Sequence, residues 1–466
     1  MTQFEKKLVS IVPSERQLNW QETEFYAFIH YGVNQFTGRE WGTGKEEPSI
    51  FDPRHLDTDQ WCESFAKAGM RGAIITAKHH DGFCLWDTEH SQHSVMYSHY
   101  GKDIVALLAD SCRKYGLKLG FYLSPWDRHD ERYGQGKSYD DYFCAQLKEL
   151  LSNYGEIFSV WFDGACGEGP NGKKQAYDWK RYYTIVRELQ PGAAISVCGP
   201  DVRWCGNEAG HCRISEWSVV PRSMVDNEAI KENSQQADDT AFRQRIRSDE
   251  QDLGSRRILE KHEELVWFPA EVNTSIRPGW FYHAEEDSKV RSLEELSSIY
   301  IQSVGGNGTF LLNIPPHPQG YIAPPDVARL EELGQWIKNS FTENLLVNEV
   351  FTASSHEHGY EPDRINKSGE YWKALDDDKE QWVSIKAGYP ITPRFLVMQE
   401  EIRQSQRIEE FSLSYWDGEV WANACDGTVV GYKRICPLPD GITAQKWMLR
   451  ITACRGGATI KTLRLY

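Results

Sequence analysis

Along the first two thirds of the chain, amphipathic stretches end at glycine and are followed by short runs that are apolar throughout. Asp57 is set to cap a helix with Trp61, Phe65 and Ala68 on one face, and Gly69 is set to end it. Residues 72–77 then predict a buried strand. Ile104, Leu108, Cys112 and Tyr115 line the next helix before Gly116, and residues 117–123 predict the next strand. Tyr139, Phe143, Leu147, Leu150 and Tyr154 precede Gly155 and a strand over 157–162. Trp179, Tyr182, Ile185, Val186 and Leu189 precede Pro191-Gly192 and a strand over 193–197. Helices alternating with fully apolar strands predict βα units around a parallel sheet. Strand patterns at 26–30, 212–217, 265–271 and 308–314 bring the number to eight, the number in a (β/α)8 barrel. An open doubly wound sheet is the alternative, weakened because no Gly-x-Gly-x-x-Gly follows the first strand.

The texture changes near residue 345. A last helix is predicted over 325–338, with Val327, Leu330, Leu333 and Ile337 on one face. Beyond it, short alternating runs such as 381–385, 411–415, 447–451 and 462–465 predict strands, with Asp417-Gly418 and Asp426-Gly427 as turns. The fold class expected is therefore α/β: a (β/α)8-like barrel over residues 1–345 and a C-terminal all-β sandwich over 346–466. No low-complexity linker separates them, so firm packing is expected.

Composition narrows the partners. The net charge of −16 repels phosphate backbones and argues against nucleic acid. The 11 cysteines are scattered with no Cys-x-x-Cys pair, which argues against a disulfide framework or zinc ribbon and for a reducing compartment. No apolar run is long enough to span a membrane. Residues 1–7 lack an apolar signal core, so a cytoplasmic protein is expected, or a periplasmic or secreted one if a signal segment has been removed. The 17 Trp and 22 Tyr suit sugar stacking as well as packing.

In a barrel, chemistry collects where strands end. The predicted ends read His30-Tyr31, Lys78-His79-His80-Asp81, Tyr122 to Asp127 and Trp161-Phe162-Asp163, with Glu216 and Glu271 later. Asp163 could cap a helix, the common role of Asp in a βα loop. Trp161, two residues earlier, shares its face, and a carboxylate beside an indole suits a sugar ring. His79-His80-Asp81 could suggest a metal, but neighbours on a strand point to opposite faces and no His-Glu-x-x-His supports it. No metal and no cofactor are expected. Gly305 to Gly308 and Gly169 to Lys174 lack phosphate-loop spacing, and no Gly-x-Ser-x-Gly elbow occurs. Glycoside hydrolysis needs two carboxyl groups. Beside Asp163 the partners are Glu208, Glu216 and Glu271, and spacing alone does not choose among them.

These residues carry a resemblance to the α-L-fucosidases of glycoside hydrolase family 29. The matching stretches include Phe25 to Gly32, Glu40-Trp41, Ala77 to Phe83, Trp161 to Gly164, Arg203 to Glu208, Ser275 to His283 and Leu311 to Pro316. The resemblance implies an exo-acting retaining enzyme acting on fucosylated oligosaccharides or glycoconjugates. It implies Asp163 as nucleophile and a fucose pocket of His30, Glu40, Trp41, His79 and His80, with Tyr122 and Trp161 as further members. The Gly206-Asn207-Glu208 segment resembles the subgroup acting on α-1,3 and α-1,4 bonds of Lewis-type glycans. That implies Glu208 as acid/base, with Glu216 in reserve. A broad-specificity α-L-fucosidase and a degenerate fucose-binding protein are the alternatives.

Overall fold

The structure is a computed structural model and describes residues 1–235, 237 and 251–466. Eight parallel strands form the main sheet: β1 Phe25–Ile29, β2 Gly72–Lys78, β3 Lys118–Leu123, β4 Ile157–Phe162, β5 Ala194–Val197, β6 Arg203–Trp204, β7 Ala270–Ser275 and β8 Thr309–Asn313. Their order in space is β5-β4-β3-β2-β1-β8-β7-β6, and a parallel bridge from Ser196 to Val202 nearly closes the ring. This is the expected barrel. The helices α1 Thr58–Lys67, α2 Ile104–Tyr115, α3 Lys137–Asn153, α4 Trp179–Leu189, α5 Leu293–Ser303 and α6 Pro324–Phe341 surround it. Asp57, Asp103 and Asp178 cap α1, α2 and α4 through their side chains, as short acidic residues before an apolar face should. Leu189, expected on the buried face of α4, is 40% exposed in its last turn.

Two layers of apolar side chains hold the barrel. Outside, strand residues such as Ile75, Phe121 and Phe162 meet Trp61, Leu108, Phe143 and Tyr182 from the helices. Inside, Tyr26, Phe28, Tyr122, Phe158 and Trp161 fill the ring, and Trp20 from the helix Glu15–Gln21 joins them. Gly120 leaves the room that the Phe158 ring occupies, since a Cβ there would lie 3.1 Å from it and 2.9 Å from Ile74.

Two strand expectations are corrected. Residues 212–217 are not a strand. They form a loop pinned by Glu216, and the sixth strand is the two-residue Arg203–Trp204. Residues 265–271 divide at Pro269. Leu265–Trp267 pairs antiparallel with Val219–Pro221, and the barrel strand starts at Ala270. Glu271 therefore sits near the beginning of β7, not at its end.

The C-terminal part has a five-stranded antiparallel sheet, in the order Val350–Ala353, Trp382–Ile391, Ala444–Cys454, Ile408–Trp416, Trp421–Gly427. Its inner face packs on a three-stranded sheet of Arg434–Pro437, Phe395–Gln399 and Thr462–Leu465. Asp417-Gly418 turns the hairpin as expected. Asp426-Gly427 instead ends a strand, where Gly427 leaves space for the Phe411 ring. The seam to the barrel joins apolar packing of Phe395, Val397, Ile435 and Tyr466 to specific polar contacts. Lys433 Nζ lies 2.5 Å from Glu24, the Tyr432 hydroxyl donates to Glu24 at 2.9 Å, and the Tyr432 N–H donates to Asn307 Oδ1 at 2.7 Å. The Gly305 to Gly308 turn serves this seam, with the Ile435 N–H donating to the Gly305 carbonyl at 2.9 Å.

Candidate active site

A cleft of about 550 Å³, measured to its open mouth, lies at the C-terminal end of the barrel strands. Its lining includes Phe28, His30, Trp41, His79, His80, Tyr122, Trp161, Asp163 and Glu208. Nearly all the residues singled out from sequence meet there. Trp204, Asn273 and Trp280 also line it and were not anticipated.

Asp163 follows β4. The Tyr122 hydroxyl donates to its Oδ2 at 2.7 Å, and the Ala165 N–H donates to its Oδ1 at 2.9 Å. Gly164 is required beside it, because a Cβ there would lie 2.0 Å from Ser234 Oγ. Burial raises the Asp163 pKa above its ordinary value, against the opposing pull of the Ala165 N–H and the Tyr122 hydroxyl. The carboxylate is thus aimed and held, with 22% of its side chain still open to the cleft.

The histidines are neutral, and their proton positions follow from the network. Ser124 donates to the Trp126 carbonyl at 2.6 Å, so it accepts from His80 Nδ1–H at 2.8 Å. Asn313 donates from Nδ2 to Ser275 Oγ and the Trp280 carbonyl, so its Oδ1 accepts from His30 Nδ1–H at 2.9 Å. Both rings therefore keep Nε2 as an acceptor, and His80 Nε2 lies 3.7 Å from Asp163 Oδ2. His79 Nδ1 is buried without a partner among the described residues. An orphaned acceptor is a lesser defect than an orphaned N–H, which leaves the His79 proton on Nε2. Burial lowers the pKa of His30 to about 4 and of His80 to about 3, with Arg128 adding to the effect at His80. The cleft thus offers two acceptors and one donor beside a carboxylate, a set matched to a ligand rich in hydroxyls.

His79 and His80 were expected to point apart. Strand β2 ends at Lys78, however, and beyond it the two rings converge to 4.1 Å and both line the cleft. Among the described residues, no group of three or more His, Cys, Asp or Glu is gathered to hold a metal ion.

Glu208 sits in the loop after β6. Gly206 and Gly210 bracket that loop with φ of 101° and 89°. The Asn207 side chain ties it, accepting from the Ala209 and His211 N–H groups at 3.1 Å and donating to the His211 carbonyl at 2.9 Å. The Trp280 indole N–H donates to Glu208 Oε2 at 3.1 Å.

The other three acidic residues stand away from the cleft lining. Glu40 lies behind Trp280, accepting from the Trp280 N–H at 2.8 Å, the Phe281 N–H at 3.2 Å and His283 Nε2 at 2.7 Å. Glu271 lies beneath the floor, where the Trp161 indole donates to it at 2.6 Å and the Tyr26 hydroxyl also donates. Glu216 is fully buried against Arg203 and Arg213. Burial raises its pKa, and the two guanidiniums more than reverse this, holding it below the ordinary carboxylate value. A carboxyl so held does not store a proton. Replacing Glu216 by Ala leaves two buried cations uncompensated, so a loss of about 3–5 kcal/mol is expected in denaturant unfolding. A loss under 1 kcal/mol would contradict this reading of the triad.

Comparison with known proteins agrees with this fold. The sequence model of the alpha-L-fucosidase family matches residues 19–340. Alpha-L-fucosidase 1 of Arabidopsis thaliana is 38% identical over 471 residues, spanning 98% of this chain and 87% of that protein. A crystal structure of a putative alpha-L-fucosidase from Bacteroides ovatus has a TM-score of 0.87 at 41% identity, covering 100% of this chain and 76% of that one. A family 29 fucosidase of Ruminococcus gnavus, solved in complex with fucose, has a TM-score of 0.83 at 28% identity, covering 98% and 95%. With the barrel, its carboxylate-lined cleft and these matches in hand, the chain belongs to the α-L-fucosidase family of glycoside hydrolases.

Proposed function

We propose that the chain is an exo-acting, retaining α-L-fucosidase that removes L-fucose from α-1,3- and α-1,4-fucosylated glycans. Asp163 is its nucleophile and Glu208 its acid/base. The observation that carries this is the pairing of two carboxyl groups in one cleft, each held by a donor from another element, Tyr122 for Asp163 and Trp280 for Glu208. In the first step the Asp163 carboxylate attacks the anomeric carbon. The bond to the leaving oxygen breaks as Glu208 gives that oxygen its proton. In the second, Glu208 takes a proton from water, the water oxygen attacks the anomeric carbon, and Asp163 leaves. Two inversions restore the configuration. His30 and His80 accept from sugar hydroxyls and His79 donates, while the indoles pack the apolar face of the ring. Proton NMR during early turnover tests the stereochemistry; α-L-fucose should appear first, and the β anomer appearing first would overturn retention.

The linkage preference rests on the Gly206-Asn207-Glu208 segment. Trisaccharides with 3- and 4-linked fucose should be cleaved faster than 2-linked ones in a fucose-release assay. Equal rates would favour the broad-specificity reading.

The pH profile carries a sign. Asp163 works ionised, and burial raises its pKa, so kcat/KM should fall as pH drops through a midpoint above the ordinary Asp value of about 4. Tyr122→Phe removes a donor that lowers this pKa, so it should move that limb to higher pH. An unmoved or downward-shifted limb would contradict the assignment.

A further inference from the structure

The five-stranded sheet has two unlike faces. Its inner face, with Val383, Ile385, Leu413, Trp447 and Leu449, is buried in the sandwich. Its outer face is open, and strand register fixes which side chains share it. Lys386, Lys446, Trp416 and Trp421 fall in one row across four strands. Trp382 and Arg450 pair in another row, four residues along the strands. At ~4.8 Å per strand and ~3.3 Å per residue, Trp382 and Trp416 lie about 16 Å apart on a diagonal, with Lys446 and Arg450 flanking it on opposite sides. The Trp416 and Trp421 rings meet edge to face with centroids 5.6 Å apart. The three indoles are partly open to solvent, and Lys386, Lys446 and Arg450 are exposed. None of these cations has an ion-pair partner among the described residues.

Two features ask for an occupant. Indole faces left in water are a standing cost that stacking removes. Unpaired cations gathered on one face of a chain with net charge −16 attract an anion. Asp426, at the far edge strand, is held by the Asn423 side chain at 3.0 Å. A protein interface would deplete charge from its apolar centre, whereas here the cations interleave with the indoles. Sugars present apolar faces at intervals and can carry carboxylate or sulfate between them. We propose that this face is a second carbohydrate-binding surface, separate from the catalytic cleft, that holds a glycan chain bearing carboxylate or sulfate groups.

The test is calorimetric titration of the full chain with three polysaccharide probes: polygalacturonate for carboxylate, carrageenan for sulfate and dextran as the neutral control. At least one acidic probe should bind, and more weakly as salt rises. The probe that binds identifies which acid group is read. Lys386→Ser, Lys446→Ser and Arg450→Ser combined should weaken binding about tenfold, as three exposed charge contacts allow. Trp416→Ala with Trp421→Ala should also weaken it, and aryl-fucoside hydrolysis should be unchanged in both variants. Binding of neither acidic probe, equal binding of dextran, or full affinity in the triple variant would overturn the proposal. So would binding of anionic phospholipid vesicles without glycan binding, or self-association that the triple variant abolishes.

Discussion

Asp163→Asn should yield a folded protein whose turnover of an aryl α-L-fucoside is lower by about 10⁴–10⁶-fold, the range seen when a nucleophile or its close partner is removed from an active site. The fold should survive because the amide fits the same contacts. Its oxygen can accept from the Ala165 N–H, now 2.9 Å from Oδ1, and its NH₂ can donate to the Tyr122 oxygen, now 2.7 Å from Oδ2. The Tyr122 hydroxyl is free to turn because it donates or accepts equally well. Fucose binding, measured by calorimetry, should persist through His30, His79, His80 and the indoles. A melting curve like that of the wild type with turnover intact would remove Asp163 from the mechanism. A wild type that binds fucose with no turnover would instead favour a degenerate binding protein.

The sequence made Asp163 ambiguous between nucleophile and helix cap, and the structure shows why. Asp163 does satisfy a backbone N–H two residues on, as a capping Asp would, but the next helix begins only at Trp179. Its second oxygen meets Tyr122 from the neighbouring strand, a contact no local pattern reveals. Where strands were long and apolar, as at β2, β3 and β4, periodicity found them and so found the residues at their ends. Strand β6 was missed because it is two residues long and carries Arg203, whose charge is answered by Glu216 from a later loop. Strand β7 was read too early because its inward-facing residues, Glu271, Asn273 and Ser275, are polar. That shift hid Asn273 and Trp280, which lie within the true strand and beyond its end.

The same long-range packing separates the three candidate glutamates. Glu216 looked strand-bound and available from sequence, yet Arg203 and Arg213 hold it ionised away from the cleft lining. Glu271 has the opposite fault. Burial pushes its pKa up to about 7, so it can carry a proton, but it spends its oxygens on Trp161 and Tyr26 beneath the floor. Glu208 alone of the three lines the cleft.

Glu208→Ala should therefore split substrates by leaving group. General acid catalysis contributes about 10²–10⁴-fold, and it matters most where the departing oxygen is a poor leaving group. Release of fucose from a natural trisaccharide should fall by about that factor. Hydrolysis of an aryl fucoside with an acidic phenol should keep its first step, because the phenolate departs without a proton. Its second step should slow, since water then lacks a base, and the fucosyl enzyme should accumulate. Added azide, which needs no base, should restore turnover and give fucosyl azide. Trp280→Phe removes the indole donor 3.1 Å from Glu208 and should weaken the same step more mildly, because the loop remains tied by Asn207. If Glu208→Ala cleaves both substrates at wild-type rates, the acid/base lies elsewhere. The buried ion triad at Glu216 could supply it only by giving up two guanidinium partners, at a cost to folding that the same unfolding experiment would detect.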